Sequence, residues 1–269
     1  MSSFFFTFVF MTNNHPIGLF DSGIGGTSIW KEIHHLLPNE DTIYLADSIN
    51  APYGEKTKEE IIHLSYKNTE FLLENNCKLI VVACNTATTN AIKELRAKYD
   101  VPFIGIEPAI KPAATNSKTQ KIGILATKGT LNSELFYKNV EKFQDIQIIE
   151  QIGFGLVELI ENGQINSKEI KTLLKKYLIP MIEQDIDYLV LGCSHYPYLI
   201  PHIKKIIPKN IQIIDSGEAV ARQTKNILNE KVGFRNNENK SNQLFYTNAD
   251  PKVLNAILEN KYQVIHKDF

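Results

Sequence analysis

The chain has 269 residues, 43% of them hydrophobic and 22% charged, with a formal net charge of -1 at pH 7. That length buries a sizeable core as one large domain or two modest ones. The near balance of charge excludes the strong basic excess that marks nucleic-acid and membrane-surface proteins. Three cysteines cannot all pair, and a chain this long needs no disulfide staples, so a reducing cytoplasm is the expected compartment.

The opening Met1-Ser-Ser-Phe-Phe-Phe-Thr-Phe-Val-Phe10 lacks the positively charged start and Ala-x-Ala site of a signal peptide. It is also too short to span a bilayer as a helix. Met11 follows at once, and the sequence points to a start there, with residues 1–14 as an extension outside the core. From Pro16 onward, apolar strand-length runs alternate with helical periodicity. Strands are expected at 16–20, 42–46, 78–83, 103–106, 121–125, 146–149, 187–191, 211–214 and 262–265. Helices are expected near 27–37, 57–75, 86–98, 129–142, 168–184, 196–206, 217–229 and 251–259. Such alternation implies an α/β fold with largely parallel sheets covered by helices on both faces. Pro108 and Pro112 punctuate the pattern, and a boundary is expected there.

Two segments share one design. Lys78-Leu-Ile-Val-Val-Ala-Cys84-Asn85-Thr86 and Asp187-Tyr-Leu-Val-Leu-Gly-Cys193-Ser194-His195 each run from a strand into a cysteine, then into small polar residues opening a helix. Strand ends before helices are where open α/β sheets bind ligands. A thiol at a helix N-terminus should also have a lowered pKa. Two such thiols suggest two acid/base groups facing one substrate. The plain alternative is two small buried apolar residues, the commonest fate of a free cysteine. Cys77, at the end of a helical pattern, is read as structural. Asp21-Ser22-Gly23 and Asp215-Ser216-Gly217 form a second echo between the halves, although either is also an ordinary strand-to-helix turn.

Rival chemistries fit less well. No Cys-x-x-Cys or His-Glu-x-x-His spacing exists, so no metal is expected. Asp21-Ser22-Gly23-Ile24-Gly25-Gly26-Thr27-Ser28 fails the Gly-x-Gly-x-x-Gly spacing, and its carboxylate would repel a phosphate. No lysine sits in a recognisable pyridoxal-phosphate setting, so no cofactor is expected. A thiol-protease-like nucleophile remains open, since Cys, His and Asn are present, but it leaves one cysteine idle. Asp47 opens a turn-rich loop containing Pro52, Tyr53 and Gly54, placed to offer backbone N–H groups and a tyrosine to a ligand. His195, beside Cys193, is placed to tune that thiol.

With Asp21-Ser-Gly-Ile-Gly-Gly26, Pro52-Tyr-Gly-Glu-Lys-Thr57, Ala83-Cys-Asn-Thr-Ala87 and Gly192-Cys-Ser-His-Tyr-Pro197, the chain closely resembles the glutamate racemases of the cofactor-independent aspartate/glutamate racemase superfamily. The resemblance runs from about Ile17 through Val264. It implies two pseudo-symmetric αβ domains enclosing an active site, 15–106 plus 215–269 and 107–214, with the C-terminal segment returning to the first. It implies interconversion of L- and D-glutamate, supplying D-glutamate for peptidoglycan. By matching motifs, Cys84 and Cys193 are the proton-transferring thiols, Cys193 acting on L-glutamate and Cys84 on D-glutamate. Asp21, Asp47, Glu161 and His195 match positions that support them, with Glu158 the alternative to Glu161. Asp21, Ser22, Tyr53, Gly54, Asn85, Thr86, Ser194 and His195 match substrate-binding positions. Ala46-Asp47-Ser48, Ser194 and Gly153-Phe154 stand where Gly-Asp-Thr, Thr and Cys-Pro are usual.

The expected partner is thus a small acidic substrate, with a homodimer left open. Racemisation of aspartate on the same scaffold and amino-acid binding without chemistry are the competing readings. A chain beginning at Met11 is expected to stay soluble and to racemise glutamate like the full length, which expression and circular dichroism of the truncated protein will check.

Overall fold

The computed structural model describes residues 13–269, so the expectations for residues 1–10 and Met11 lie outside the described residues. Asn13 and Asn14, grouped with the extension in the sequence, hydrogen bond to the body. The Asn13 N–H donates to the Phe234 carbonyl at 2.9 Å, and Asn14 Oδ1 accepts from the Asn236 N–H at 2.9 Å.

Among the described residues the strands are β1 (Ile17–Asp21), β2 (Thr42–Ala46), β3 (Leu79–Val82), β4 (Phe103–Gly105), β5 (Lys121–Ala126), β6 (Gln147–Ile152), β7 (Tyr188–Gly192), β8 (Gln212–Ile214), β9 (Gln243–Thr247) and β10 (Gln263–His266). They form two sheets, one in the order β10-β9-β2-β1-β3-β4 and one in the order β6-β5-β7-β8. Every ladder is parallel. All residues of β1, β2 and β3 are buried. That is the signature of strands covered on both faces, and it explains why the sequence shows continuous apolar runs rather than alternation. One apolar cluster runs from Ile17, Leu19 and Phe245 on the first sheet, with Trp30 packed on it, to Leu125, Leu189 and Leu191 on the second, with Tyr196 beside them. The two sheets therefore share a core on the sides that face each other.

The strand orders reveal the repeat. In each sheet the second strand of a unit flanks the first, then come the third and fourth: β2-β1-β3-β4 and β6-β5-β7-β8. Cys84 follows β3 and Cys193 follows β7, so the thiols occupy equivalent places. The Asp-Ser-Gly echo does not share this relation and is corrected here. Asp21 ends β1, whose counterpart β5 leads to Thr127, whereas Asp215 follows the edge strand β8. Asp215 Oδ1 accepts the Gly217 N–H at 2.8 Å, a local turn at the start of α10 (Gly217–Ile227).

The expected helices form, with physical exceptions. Over 129–142 the chain makes α5 (Lys128–Leu131) and α6 (Glu134–Val140), because Ser133 turns out to accept from the Phe136 N–H and starts a new helix. Over 196–206 a 3₁₀ turn, Tyr196–Leu199, leads into α9 (Ile200–Ile203). Pro197 and Pro201 each remove a donor, so a continuous α-helix cannot close there. Pro112 lies in the first turn of α4 (Ile110–Asn116), where its missing N–H costs nothing. β9 is an added strand, paired with β2 from Thr42↔Gln243 to Ala46↔Thr247. Thr42 Oγ1 donates to Gln243 Oε1 at 2.5 Å, so the polar Gln243 that obscures this strand in the sequence is the residue that docks it.

Phe245 of β9 is fully buried and packs edge-on against Trp30 of α1 (Thr27–Leu36), ring centroids 4.7 Å apart. Phe245→Ala should cost about 3–5 kcal/mol. Urea denaturation of the variant will measure it.

Candidate active site

The carboxyl ends of both sheets meet around one small, partly open hollow. Ser22 borders it from the turn after β1, and Pro52, Tyr53 and Gly54 from the loop after β2. Cys84, Asn85 and Thr86 border it from the β3 end, Thr127 from the β5 end, and Cys193, Ser194 and His195 from the β7 end. Both thiols therefore face the same small space. Among the described residues no cluster of three or more His, Cys, Asp or Glu is arranged to hold a metal ion. No helix of the described residues is long and apolar enough to cross a membrane.

The two thiols are held differently. Cys84 is the N-cap of α3 (Asn85–Lys98): its sulfur accepts the Ala87 N–H at 3.4 Å, and its thiol donates to Ser22 Oγ at 3.7 Å. The lowered pKa expected there is overturned. Burial, reinforced by the Asp21 charge, pushes the thiol upward, and the Ala87 and Ser22 hydrogen bonds offset only part of it. Cys193 precedes a single 3₁₀ turn instead of a long helix, so the expected macrodipole is missing. Its neighbour is an imidazole: Cys193 Sγ lies 3.8 Å from His195 Nδ1. Cys77 sits outside the hollow, and burial raises its thiol to about 12, in keeping with a structural role.

His195 is tied to the other half through Glu161. Its Nε2 lies 2.5 Å from Glu161 Oε1 of α7 (Leu156–Glu161), and its Nδ1 lies 3.3 Å from Ser194 Oγ. Burial works to lower the His195 pKa. Hydrogen bonds to Cys193 and Glu161, with the Asp21 charge, overcome it and leave the imidazole well above the ordinary histidine value. Glu161 Oε1 also accepts the Ile24 N–H at 2.7 Å, and Oε2 accepts Ser48 Oγ at 2.8 Å. Glu158 instead borders an outer hollow with Lys128 and Phe154, so the geometry places Glu161 on His195.

Asp21 is fully buried; its Oδ2 accepts the Gly26 N–H at 2.8 Å, and its Oδ1 accepts Ser194 Oγ at 3.1 Å. Burial raises its carboxyl pKa, and the His195 charge and the Gly26 N–H pull back only part of the rise. The glycines between these residues have a packing cause. A Cβ on Gly23 would stand 2.0 Å from Glu161 Oε1, and one on Gly25 would stand 2.2 Å from His195 Nδ1. What looks in the sequence like a broken phosphate loop is a backbone thinned to admit a histidine and a carboxylate from the other sheet.

Asp47 stands back from the hollow. Its carboxylate accepts Tyr53 OH, Asn50 Nδ2 at 2.7 Å and Asn248 Nδ2 at 2.5 Å. Tyr53 OH also accepts Asn68 Nδ2 at 3.1 Å. This tyrosine is thus fixed by its hydroxyl and meets the hollow with its ring and backbone. Asn85 is the reverse case: it is 2% exposed, and both its Oδ1 and Nδ2 are without a partner. A buried amide left unpaired is costly unless something arrives to satisfy it. Thr86 Oγ1 is tied to Thr127 Oγ1 at 2.8 Å. Thr127 and Val157 of the lining were not singled out from the sequence. Thr127 had a usable signal, a hydroxyl residue ending a strand.

These features define a class. The chain belongs to the Asp/Glu/hydantoin racemase family, whose pattern matches residues 17–224. Within it the chain is similar to glutamate racemases in particular. That of Pseudomonas entomophila is 44% identical over 245 residues, covering 90% of this chain and 92% of the relative. That of Herpetosiphon aurantiacus is 44% identical over 216 residues, covering 80% and 85%. Among solved structures, a glutamate racemase isoform from Bacillus anthracis superposes with a TM-score of 0.85 at 31% identity, covering 96% of this chain and 99% of that one. The Escherichia coli glutamate racemase, in complex with L-glutamate and the activator UDP-MurNAc-ala, gives 0.85 at 32%, covering 94% and 98%. The family and the two-domain αβ fold implied by the sequence are borne out.

A raised histidine pKa has a sign that stability experiments can read. The stabilisation from the His195 proton is complete below the unfolded value of about 6.5 and is lost as pH rises through the folded value. Wild-type stability should therefore fall more between pH 6 and pH 9 than that of His195→Asn. Urea denaturation at both pH values will check the difference.

Proposed function

We propose that the chain interconverts L- and D-glutamate by proton transfer at Cα between Cys84 and Cys193, without metal or cofactor. The observation that carries this reading is the pair of thiols at equivalent strand ends facing one small hollow with the unpaired Asn85 amide. The similarity to glutamate racemases supplies the substrate.

The chemical problem is a weakly acidic Cα–H. With Cα seated between the sulfurs, the Cys193 thiolate takes the proton of L-glutamate while the Cys84 thiol delivers its own to the opposite face. The products are D-glutamate, a Cys193 thiol and a Cys84 thiolate. D-Glutamate runs the same steps backward. His195, held protonated by Glu161 and Asp21, stabilises the Cys193 thiolate through Nδ1–H. The α3 N-terminus, the Ala87 N–H and Ser22 Oγ do the same for the Cys84 thiolate when it forms. The raised Cys84 pKa suits a group that begins as the acid. The substrate ammonium adds a positive charge beside both sulfurs. Asn85, Ser22, Ser194 and the Tyr53-Gly54 backbone offer hydrogen bonds to the carboxylates, Thr86 and Thr127 line the distal side, and the buried setting strengthens each dipole. Asp47 acts through Tyr53.

In this reading the units are 15–106 plus 215–269 and 107–214, and the product supplies D-glutamate to peptidoglycan in the cytoplasm. Circular dichroism with L-glutamate and L-aspartate separately tests the substrate; turnover of aspartate alone would reject it. Cys84→Ala and Cys193→Ala should each abolish racemisation by at least about a thousandfold. In deuterated water Cys193→Ala should label D-glutamate at Cα faster than L-glutamate, and Cys84→Ala the reverse, read by mass spectrometry. Full racemisation by either variant rejects the two-thiol mechanism.

A further inference from the structure

We propose that Tyr198 is a positioning residue for His195, acting through a closed ring of hydrogen bonds that crosses from one sheet unit to the other. Starting from the imidazole, His195 Nε2 meets Glu161 Oε1 at 2.5 Å, and the same oxygen accepts the Ile24 N–H at 2.7 Å. The Ile24 carbonyl accepts Thr27 Oγ1 at 2.5 Å, and Thr27 Oγ1 lies 2.5 Å from Tyr198 OH. The Tyr198 N–H then returns to the His195 carbonyl at 3.2 Å. Donor bookkeeping fixes the direction. Ile24 offers only a carbonyl there, so the single Thr27 hydroxyl proton goes to it, and the Tyr198 hydroxyl must donate to Thr27.

The ring answers a need that the fold creates. The Cys84 turn is secured by the fourteen-residue helix α3, whereas the Cys193–His195 turn is followed only by two four-residue helical segments. It has to be fastened from outside. Tyr198 supplies one tie at the N-terminus of α1, and a second runs alongside it, with Ser28 Oγ donating to the Ser194 carbonyl at 2.8 Å. Neither Thr27 nor Tyr198 borders the reaction hollow, so neither has a reason to touch substrate. The Lys31 ammonium lies 5.0 Å from the Tyr198 ring centroid and holds the ring over α1.

The inference rests on the racemase reading for its kinetic arm, and a ligand-free arm stands apart from it. Tyr198→Phe opens the ring at the Tyr198–Thr27 bond, and Thr27→Val opens it there and at the adjoining Thr27–Ile24 bond. Each should lower kcat about five- to tenfold, with KM for glutamate within about twofold of wild type. The titratable groups facing His195 are Glu161 on α7, Asp21 on β1 and Cys193 on its own turn, and the Gly25 N–H and Ser194 Oγ also lie 3.3 Å from its Nε2 and Nδ1. With Glu161 loosened, the imidazole loses its proton more easily, so the alkaline limb of kcat should move to lower pH. Thr27→Ser keeps the hydroxyl and should keep wild-type behaviour. The double variant Tyr198→Phe/Thr27→Val should be no worse than either single, because one ring is already open. Without substrate, the downfield NMR resonance of the His195 Nε2 proton should exchange faster in the valine variant and stay unchanged in the serine variant.

A wild-type pH profile in Tyr198→Phe, losses that multiply in the double variant, or an unshifted His195 resonance in Thr27→Val would each overturn the ring. Should Tyr198→Phe fail to fold, the valine and serine variants at Thr27 decide alone. A wild-type protein inert toward glutamate would reject the racemase reading, and the NMR comparison would still judge the ring.

Discussion

Charge taken out of water at the seam between two sheets is the constraint on which this structure turns. Asp21, from the first sheet, and His195, from the second, are both essentially unexposed, and Glu161 is nearly so. Buried ions at this density are tolerable only when each finds opposite charge and hydrogen-bond donors. Here Asp21 finds Ser194 and the His195 charge across the seam, and Glu161 takes the Ile24 N–H and the Ser48 hydroxyl from the first sheet, so the electrostatics require the two halves to stay closed. The same closure shapes the space between the thiols. Opening the seam would take the opposite charge away from Asp21, which ties the integrity of the site to the packing of the whole chain.

Topological equivalence has not made the two thiols chemically equivalent. Cys84 has a helix and a hydroxyl, and Cys193 has an imidazole. A proton relay that must run in both directions needs its two ends balanced in free energy, not identical in structure. The raised pKa of the ligand-free Cys84 fits this picture, since burial without a nearby cation favours the neutral thiol. The other end faces the His195 imidazole instead, whose own pKa is held well above the ordinary histidine value.

The sequence discloses the frame because buried parallel strands leave long apolar runs, and it discloses Cys84 and Cys193 because strand-end cysteines are rare company for such runs. It hides what depends on partners distant in the chain. Gln243 looks like a loop residue until Thr42 is placed beside it. Gly23 and Gly25 look like a failed nucleotide loop until Glu161 and His195 press against them. The choice between Glu158 and Glu161 rests on a helix rotation that a six-residue segment cannot specify by periodicity. The Asp-Ser-Gly echo misled for a complementary reason: a local turn chemistry recurs wherever a strand meets a helix, whichever strand it is. Thr127 was readable as a hydroxyl after a strand, yet nothing local marked that strand as the counterpart of β1.

The strand order also bears on the sequence of events at the ribosome. Strands β5 to β8 are contiguous in the chain and complete their sheet by Ile214. The six-stranded sheet is left with an open edge at β2 until residues 243–266 have emerged and β9 and β10 have docked. Although its first strands are made earliest, that sheet finishes last. Until then it presents the unpaired backbone of a central strand, a template for pairing with a neighbouring nascent chain. The most exposed moment in the life of this protein thus falls near the end of its synthesis, and the segment that ends it carries none of the residues assigned to the reaction.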